Sequence, residues 1–391
     1  MSTNKHIHFP GLNTLRCIAA FVVIFHHIEM FKYHENMASL WQLPAVVAIG
    51  KMGVILFFVL SGFLITYLLL EEKSRHNDIN VKKFYMRRIL RIWPVYYLLF
   101  GITIFLLVNN FSLLDTSSWD GWVVWGNLNI KDLLYLVFFL PNVFVITPGS
   151  IPFFSISWSV GVEEQFYLIW PVLLKLFKNT LKLLISVILI YLFIKIPLFS
   201  ILKYRLHANP SALAFFKSFW ANFNIDSMAI GGIFSYLFFT KHKALKFFFL
   251  KSVQLTTIII LLVGLATGFH LPFINNELYS VFFGIFIVNT ATNPSTIVNL
   301  ENKLGNFLGK ISYGLYMYLS LCIVLCIKLM KYFHLDGSGL LMDNLIVYAS
   351  SISLSIIVSA LSYQYFERFF LKIKEKMAVV KSSGESGGVT S

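Results

Sequence analysis

FPGLNTLRCIAAFVVIFHHIE, residues 9–29, is an apolar run of membrane-spanning length. It carries Arg16 near its start and His26, His27 and Glu29 at its end. Ionisable groups inside a span are costly, so their presence asks for a role. Arg16 and His27 lie eleven residues apart, about three helical turns, so both project from one face roughly 16 Å apart along the axis. A charged and a titratable group on one stripe read as two ends of a buried path. A snorkelling arginine at one interface and a histidine at the other is the plainer reading.

The rest of the chain supports the membrane class. Of its 391 residues 57% are hydrophobic and only 13% charged, and the mean hydropathy is +0.74. A formal net charge of +14 would suit nucleic acid in a soluble protein. In so apolar a chain it reads instead as Lys and Arg in cytoplasmic loops, with lipids rather than nucleic acid as partner. Cys17, Cys322 and Cys326 all sit in apolar runs, so neither a disulfide framework nor a metal site is expected. The first apolar run lacks a small-residue cleavage site after it and is expected to be retained.

Apolar runs recur at roughly 12–30, 52–70, 93–109, 158–176, 182–199, 222–240, 252–269, 278–293, 309–332 and 344–366. A shorter run at 131–146, ending near Pro141 and Pro148, reads as a half-span or interfacial helix. The fold class is therefore all-α, a polytopic membrane protein with about ten transmembrane helices. With the N-terminus inside, the inner regions hold 22 of the 32 Lys and Arg, which places both termini in the cytoplasm. Trp41, Trp93, Trp119, Trp122, Trp125, Trp158, Trp170 and Trp220 fall mostly near span ends, as interfacial anchors do. Residues 1–372 form a single membrane domain and 373–391 a polar, disordered cytoplasmic tail ending in SSGESGGVTS.

Five stretches carry chemistry. In GVILFFVLSGFLITYLLL (53–70), Ser61 and Gly62 interrupt a helix of large residues. They either let a neighbouring helix approach or make room for a ligand chain. In KKFYMRRILRIWPVYY (82–97), Arg88 and Arg91 share a helix face and can grip one anion together. Arginine at the three deepest basic positions favours forked recognition of phosphate over a lipid-headgroup anchor. SISWSVGVEEQFYLIWP (155–171) puts Glu163 and Glu164 about one turn inside a span, followed by Gln165 and Tyr167. Neighbours point about 100° apart, so one glutamate faces a cavity while the other pairs with a helix. NFNIDSMAIGG (222–232) places Asp226 in an opening turn, where it serves either a site or the helix dipole. GKISYGLYMYL (309–319) aligns Tyr313 and Tyr316 at i, i+3, either in a site or in an aromatic belt.

The orientation sorts these groups by depth. Arg88, Arg91, Tyr313 and Tyr316 fall at the inner face, with Arg16 near it. His27, Glu163, Glu164 and Asp226 fall towards the outer side. A cationic mouth towards the cytoplasm would dock a phosphate-bearing donor whose reactive end reaches His27.

The chain resembles the acyltransferase 3 family of integral membrane acyltransferases over roughly residues 7–372. The resemblance rests on Arg16-x10-His27, FFVLSGFL (57–64), RRILRIWPVYY (87–97), SWSVGVEEQFYLIWP (157–171) and ISYGLYMY (311–318), with YQYFERFF (363–370) a weaker match. It implies about ten spans in a bacterial inner membrane. It also implies transfer of an acyl group, usually acetyl, from acyl-CoA to hydroxyls of glycans, lipid-linked sugars or similar acceptors, without a metal. Arg16 and His27 match the first-helix pair, Arg88 and Arg91 the arginine pair near the donor, and Glu163 or Glu164 the carboxylate. Asn13-Thr14 stands where the family often has Asp-Gly, and Asn keeps the capping chemistry. Leu319 stands where the family frequently has His, which concentrates acid–base work on His27.

On this reading His27 is the general base and a glutamate orients its ring. Arg16 holds the donor or the developing oxyanion. Ser61, Tyr167, Asp226, Tyr313 and Tyr316 join Arg88 and Arg91 as substrate-binding residues. A non-enzymatic transporter or flippase of a glycan precursor would share the spans and buried charges. A membrane sensor that binds acyl-CoA without turnover would have no need of the base.

Overall fold

The computed structural model describes residues 7–109, 111, 114, 116, 130–144, 151, 153–205, 210–336, 340–377 and 379, and its regular elements are helices. The first three are α1 (Leu12–His34), α2 (Pro44–His76) and α3 (Val81–Asn109). After them come α4 (Ile130–Val137), α5 (Pro141–Phe144), a 3-10 turn Ser155–Ser157, α6 (Trp158–Leu176), α7 (Thr180–Arg205) and α8 (Pro210–Asn222). The second half holds α9 (Ile225–Phe239), α10 (Leu245–Phe248), α11 (Lys251–Thr267), α12 (Asn275–Thr292), α13 (Lys303–Lys310) and α14 (Ser312–Tyr332). It closes with α15 (Leu340–Ser362), a π-helical turn Tyr363–Glu367 and α16 (Arg368–Lys376).

Five of the described helices are long and apolar enough to cross a membrane: α1, α2, α3, α14 and the continuous stretch Leu341–Lys376. The other expected spans fall on α6, α7, α9, α11 and α12. Of these, α9 and α11 have only 15 and 17 residues, about 22 and 26 Å at 1.5 Å per residue, short of a 30 Å hydrocarbon core. The shorter run at 131–146 is broken between α4 and α5, where Phe139 takes a positive φ. The final helix carries four residues past 372, so the expected tail begins with ordered helix. Trp119, Trp122, Trp125, Pro148 and residues 380–391 lie outside the described residues. Trp170 is not an interfacial anchor: it is buried and donates from Nε1 to Thr66 Oγ1 at 3.0 Å.

The bundle is organised on α2, 33 residues and about 50 Å long. α9 crosses one face, where both helices present glycine. A Cβ on Gly62 would meet the Met228 carbonyl, and one on Gly231 would meet the Val59 carbonyl. The two backbones therefore touch, as small residues at a membrane-helix crossing allow. α1 covers a second face of α2, α14 packs against α1 and α15, and α16 against α3. α12, α11 and α6 also pack on α2, and a cavity opens along one stripe of it.

Candidate active site

That cavity has about 910 Å³ of empty space, counted to its open mouth. Val54, Phe58, Ser61 and Ile65 line it from α2, one stripe by helical period. Ser61 and Gly62 thus divide the two roles read from the sequence. Gly62 admits α9, and Ser61, 100° round the helix, faces the cavity.

α6 contributes Ser159, Glu163 and Tyr167, spaced i, i+4, i+8 on one face. The Tyr167 hydroxyl donates to Glu163 Oε2 at 3.2 Å and is hydrogen-bonded to the Ser61 hydroxyl. Glu164 points away and accepts from Trp93 Nε1 at 3.1 Å. Of the two glutamates, Glu163 faces the cavity. Tyr316 Oη meets Ser159 Oγ at 2.7 Å and donates to the Ile156 carbonyl at 3.1 Å, while Tyr313 donates to the Ile92 carbonyl at 2.9 Å. Both tyrosines line the cavity and fasten α14 to its neighbours, so they are not only a belt.

Cations gather at the α3 side. Arg88 and Arg91 line the cavity together. The Arg88 guanidinium sits 5.6 Å from the Phe84 ring centroid and 5.5 Å from that of Tyr167, a stacked placement suited to arginine. Arg87 points elsewhere and pairs with the buried Glu72, Nη2 to Oε2 3.3 Å. Arg16 enters from α1 and its Nη1 donates to Asn13 Oδ1 at 3.2 Å. Asn13 therefore does not cap α1: Gly11 is the N-cap, and Asn13 is spent on Arg16 and on Asn306 of α13. Lys374 of α16, buried, completes the lining. Four positive charges among the described lining residues face one carboxylate, Glu163. That surplus suits a multiply charged anion.

Three expected residues are not part of this lining. His27 lies further along α1, its Nδ1 2.8 Å from the Val23 carbonyl and its ring beside His26 and Phe31. A carbonyl only accepts, so the neutral ring carries its proton on Nδ1 and leaves the lone pair on Nε2. Glu164 stands behind the wall, and Asp226 belongs to a separate buried cluster with Glu277. Leu319 is fully buried in the core. Lys374 and Ser159 were not singled out from the sequence. Ser159 had a signal, four residues before Glu163 on the same face.

A family model described as "Acyltransferase domain" matches residues 9–364. The "Putative O-acetyltransferase SACOL0978" of Staphylococcus aureus (strain COL) is 26% identical, over 94% of this chain and 58% of its own length. "O-acetyltransferase OatA" of Staphylococcus aureus (strain NCTC 8325 / PS 47) is 25% identical, over 92% of this chain and 57% of its own. The chain thus spans under three fifths of these relatives. No solved structure matches it.

Proposed function

This chain belongs to that acyltransferase family, and we propose that it moves an acyl group, acetyl first among them, from acyl-CoA to a hydroxyl of a glycan or lipid-linked sugar. The observation that carries this is the cationic cavity: Arg16, Arg88, Arg91 and Lys374 converge on a space with an apolar α2 wall. CoA joins several phosphates to a long, neutral pantetheine arm, which matches a charged mouth leading into an apolar interior. The wider topology of the proposal is about ten spans with both termini cytoplasmic, in a bacterial inner membrane.

His27 is assigned the base. It lies three turns beyond Arg16 on α1, a reach comparable to the extended pantetheine arm. Its Nε2 takes the acceptor hydroxyl's proton as that oxygen attacks the thioester carbonyl. The C–S bond breaks, and the CoA thiolate leaves and takes up the proton. Glu163 and Tyr167, hydrogen-bonded together in the cavity wall beside Arg88, hold the donor's arm where it leaves the phosphates. Arg16, three turns from the reacting carbonyl, helps hold the donor's phosphates at the cationic mouth.

The test is acceptor-dependent release of CoA thiol from acetyl-CoA by the protein in proteoliposomes. His27→Ala should lower that rate on the order of 10²–10⁴-fold. An unchanged rate in correctly inserted protein removes His27 from the chemistry. Glycan counterflow with no thiol release would replace the whole reading with a transporter.

A further inference from the structure

The start of α2 gathers two inter-helix links that the donor cavity does not use. A Cβ on Gly268, just past the end of α11, would meet the backbone of Pro44 and Ala45, the first residues of α2. Asn276, in the first turn of α12, donates from Nδ2 to Asn224 Oδ1 in the α8–α9 link at 2.6 Å. Lys51 of α2 donates from Nζ to the Ala221 carbonyl in the last turn of α8 at 2.7 Å. Between these contacts lies a pocket of about 730 Å³, counted to its open mouth. Lys51, Lys195, Trp220, His270, Asn275 and Asn276 are among the residues that wall it.

The titratable groups of the described wall are Lys51, Lys195 and His270, with no carboxylate among them. Lys195 Nζ is paired with Glu277 Oε1 at 2.7 Å, and Asp226 lies fully buried beside Glu277, but neither carboxylate belongs to that wall. Lys51 is in no ion pair among the described residues. A lysine at the C-terminal carbonyls of a helix is an ordinary packing device, and Ala221 accounts for one of its three N–H groups. The other two meet no acceptor among the described residues. Asn275 accepts the Leu271 N–H on Oδ1 at 3.1 Å, which leaves its NH2 group as a further donor. Asn275 and Asn276 also open α12, whose first backbone N–H groups have no partner within the helix. The wall thus offers donors and positive charge well in excess of acceptors. A phosphate, compact and with several acceptor oxygens, matches a lysine's point charge and the donors around it.

We propose that this pocket is a second anion site and that it takes a phosphate ester, soluble or borne on a lipid, a proposal independent of the acyl-transfer reading. It is separate from the donor cavity: the two share no described lining residue, and Lys51 precedes Ser61 by ten residues, about 15 Å of helix rise. On the topology proposed above, this end of α2 faces away from the cytoplasm, where lysines are comparatively scarce. Lys51 and Lys195 therefore stand outside the cytoplasmic surplus of positive charge and need another reason. Trp220 and Phe273 add aromatic surface to the wall, a composition that suits the level of a bilayer's phosphates.

The experiment is thermal unfolding of the full chain in maltoside micelles, which carry no phosphate. The soluble arm adds glycerol 3-phosphate, with glycerate and glycerol as carboxylate and uncharged comparators. The lipid arm adds phosphatidylglycerol, with diacylglycerol as its phosphate-free comparator. A phosphate ester should raise Tm more than its comparators, and the arm with the larger shift identifies the source. Lys51→Gln should weaken that binding about tenfold or more, and Lys51→Arg should retain it. Asn275→Asp keeps the acceptor for Leu271 and suits the start of a helix, so it should fold even if Lys51→Gln does not. Its carboxylate in the wall should remove the ester shift. The CoA-induced shift should persist in both variants and certify that each is folded. No shift with either ester overturns the proposal, as does an equal shift with glycerate or diacylglycerol, or wild-type ester binding in either folded variant. Loss of the CoA shift together with the ester shift in folded Lys51→Gln would assign this lysine to the donor and overturn it too. A wild-type protein that answers to the esters but not to CoA supports this site and counts against the donor reading alone.

Discussion

Removing Arg91 tests the cationic mouth most cleanly. Arg91 lines the cavity and is only partly buried, whereas Arg88 is buried between two rings and its loss would also disturb packing. A hydrogen bond from a charged group contributes about 1.5–3 kcal/mol, so Arg91→Ala should raise the Kd for CoA about 10- to 150-fold. Wild-type protein at a CoA concentration of 100 Kd gains about 2.7 kcal/mol of stability. At the same concentration the variant should gain only about 0.3–1.4 kcal/mol by the same relation. The readout is the CoA-induced Tm shift, with Arg87→Ala beside it. Arg87 points away from the cavity to Glu72, and the two side chains are 8% and 2% exposed. Its loss strands a buried carboxylate and should cost about 3–5 kcal/mol of intrinsic stability, yet leave the CoA gain near its wild-type value. An undiminished CoA shift in Arg91→Ala, or a loss confined to Arg87→Ala, would mean that the donor's phosphates are held elsewhere.

Gly62→Ala should destabilise the bundle by about 1–3 kcal/mol, because the new methyl meets the backbone of α9 and not a side chain that can turn aside; a Tm equal to wild type would refute the close crossing. Glu163→Gln should slow thiol release on the order of 10²-fold by misplacing the donor, while Glu164→Gln, which can still accept from Trp93, should run near the wild-type rate; the reverse order would exchange their assignments. Glu301, in the link before α13, accepts from the Gly11 N–H at 2.6 Å and from Asn306 at 2.7 Å, next to His8. Burial alone would raise its pKa, but these partners outweigh it and hold the carboxyl below its ordinary 4.5. A depressed carboxyl stabilises the fold above the unfolded-state pKa, and that contribution is lost as pH falls through the folded one. Glu301→Gln should therefore be less stable than wild type at pH 7 and lose less on acidification below about pH 4.5; parallel acid limbs would contradict the linkage.

Much of the cavity was legible because helical period alone decides it. Arg88 with Arg91 follows from 100° per residue once the chain is helical, and the same period separates Glu163 from Glu164 and Ser61 from Gly62 without telling which of each pair faces the cavity. The helical membrane class followed from composition, and five spans meet it by length and hydropathy. The relation of Arg16 to His27 was harder to read. Two residues on one stripe of a helix need not meet the same neighbours, because packed helices cross at an angle. Arg16 opens onto the cavity, while His27, three turns on, faces His26 and Phe31. Asp226 was unreadable for a related reason: its neighbours Glu277 and Lys195 come from helices distant in sequence.

Lys374 shows how a local irregularity can hide a site residue. Along α15 the buried positions among the described residues are Val347, Ser351, Ser355 and Ser359, a regular i, i+4 row. Continued from Ser359 at 3.6 residues per turn, that face would pass through Phe366, Phe370 and Ile373, with Lys374 about 60° from its centre. Such phasing is consistent with a basic tail. The π-helical turn Tyr363–Glu367 inserts one extra residue. The buried row resumes at Glu367, Leu371 and Lys374. Lys374, beyond that turn, lines the cavity, and Glu367 within it is buried within electrostatic reach of Arg91. π turns are rare and frequently stand at functional sites, since they exchange regular packing for a re-aimed side chain. Deleting one residue within Tyr363–Glu367 would turn Lys374 by about 100° about the helix axis, and a CoA-induced Tm shift unchanged by the deletion would show that this lysine does not serve the donor.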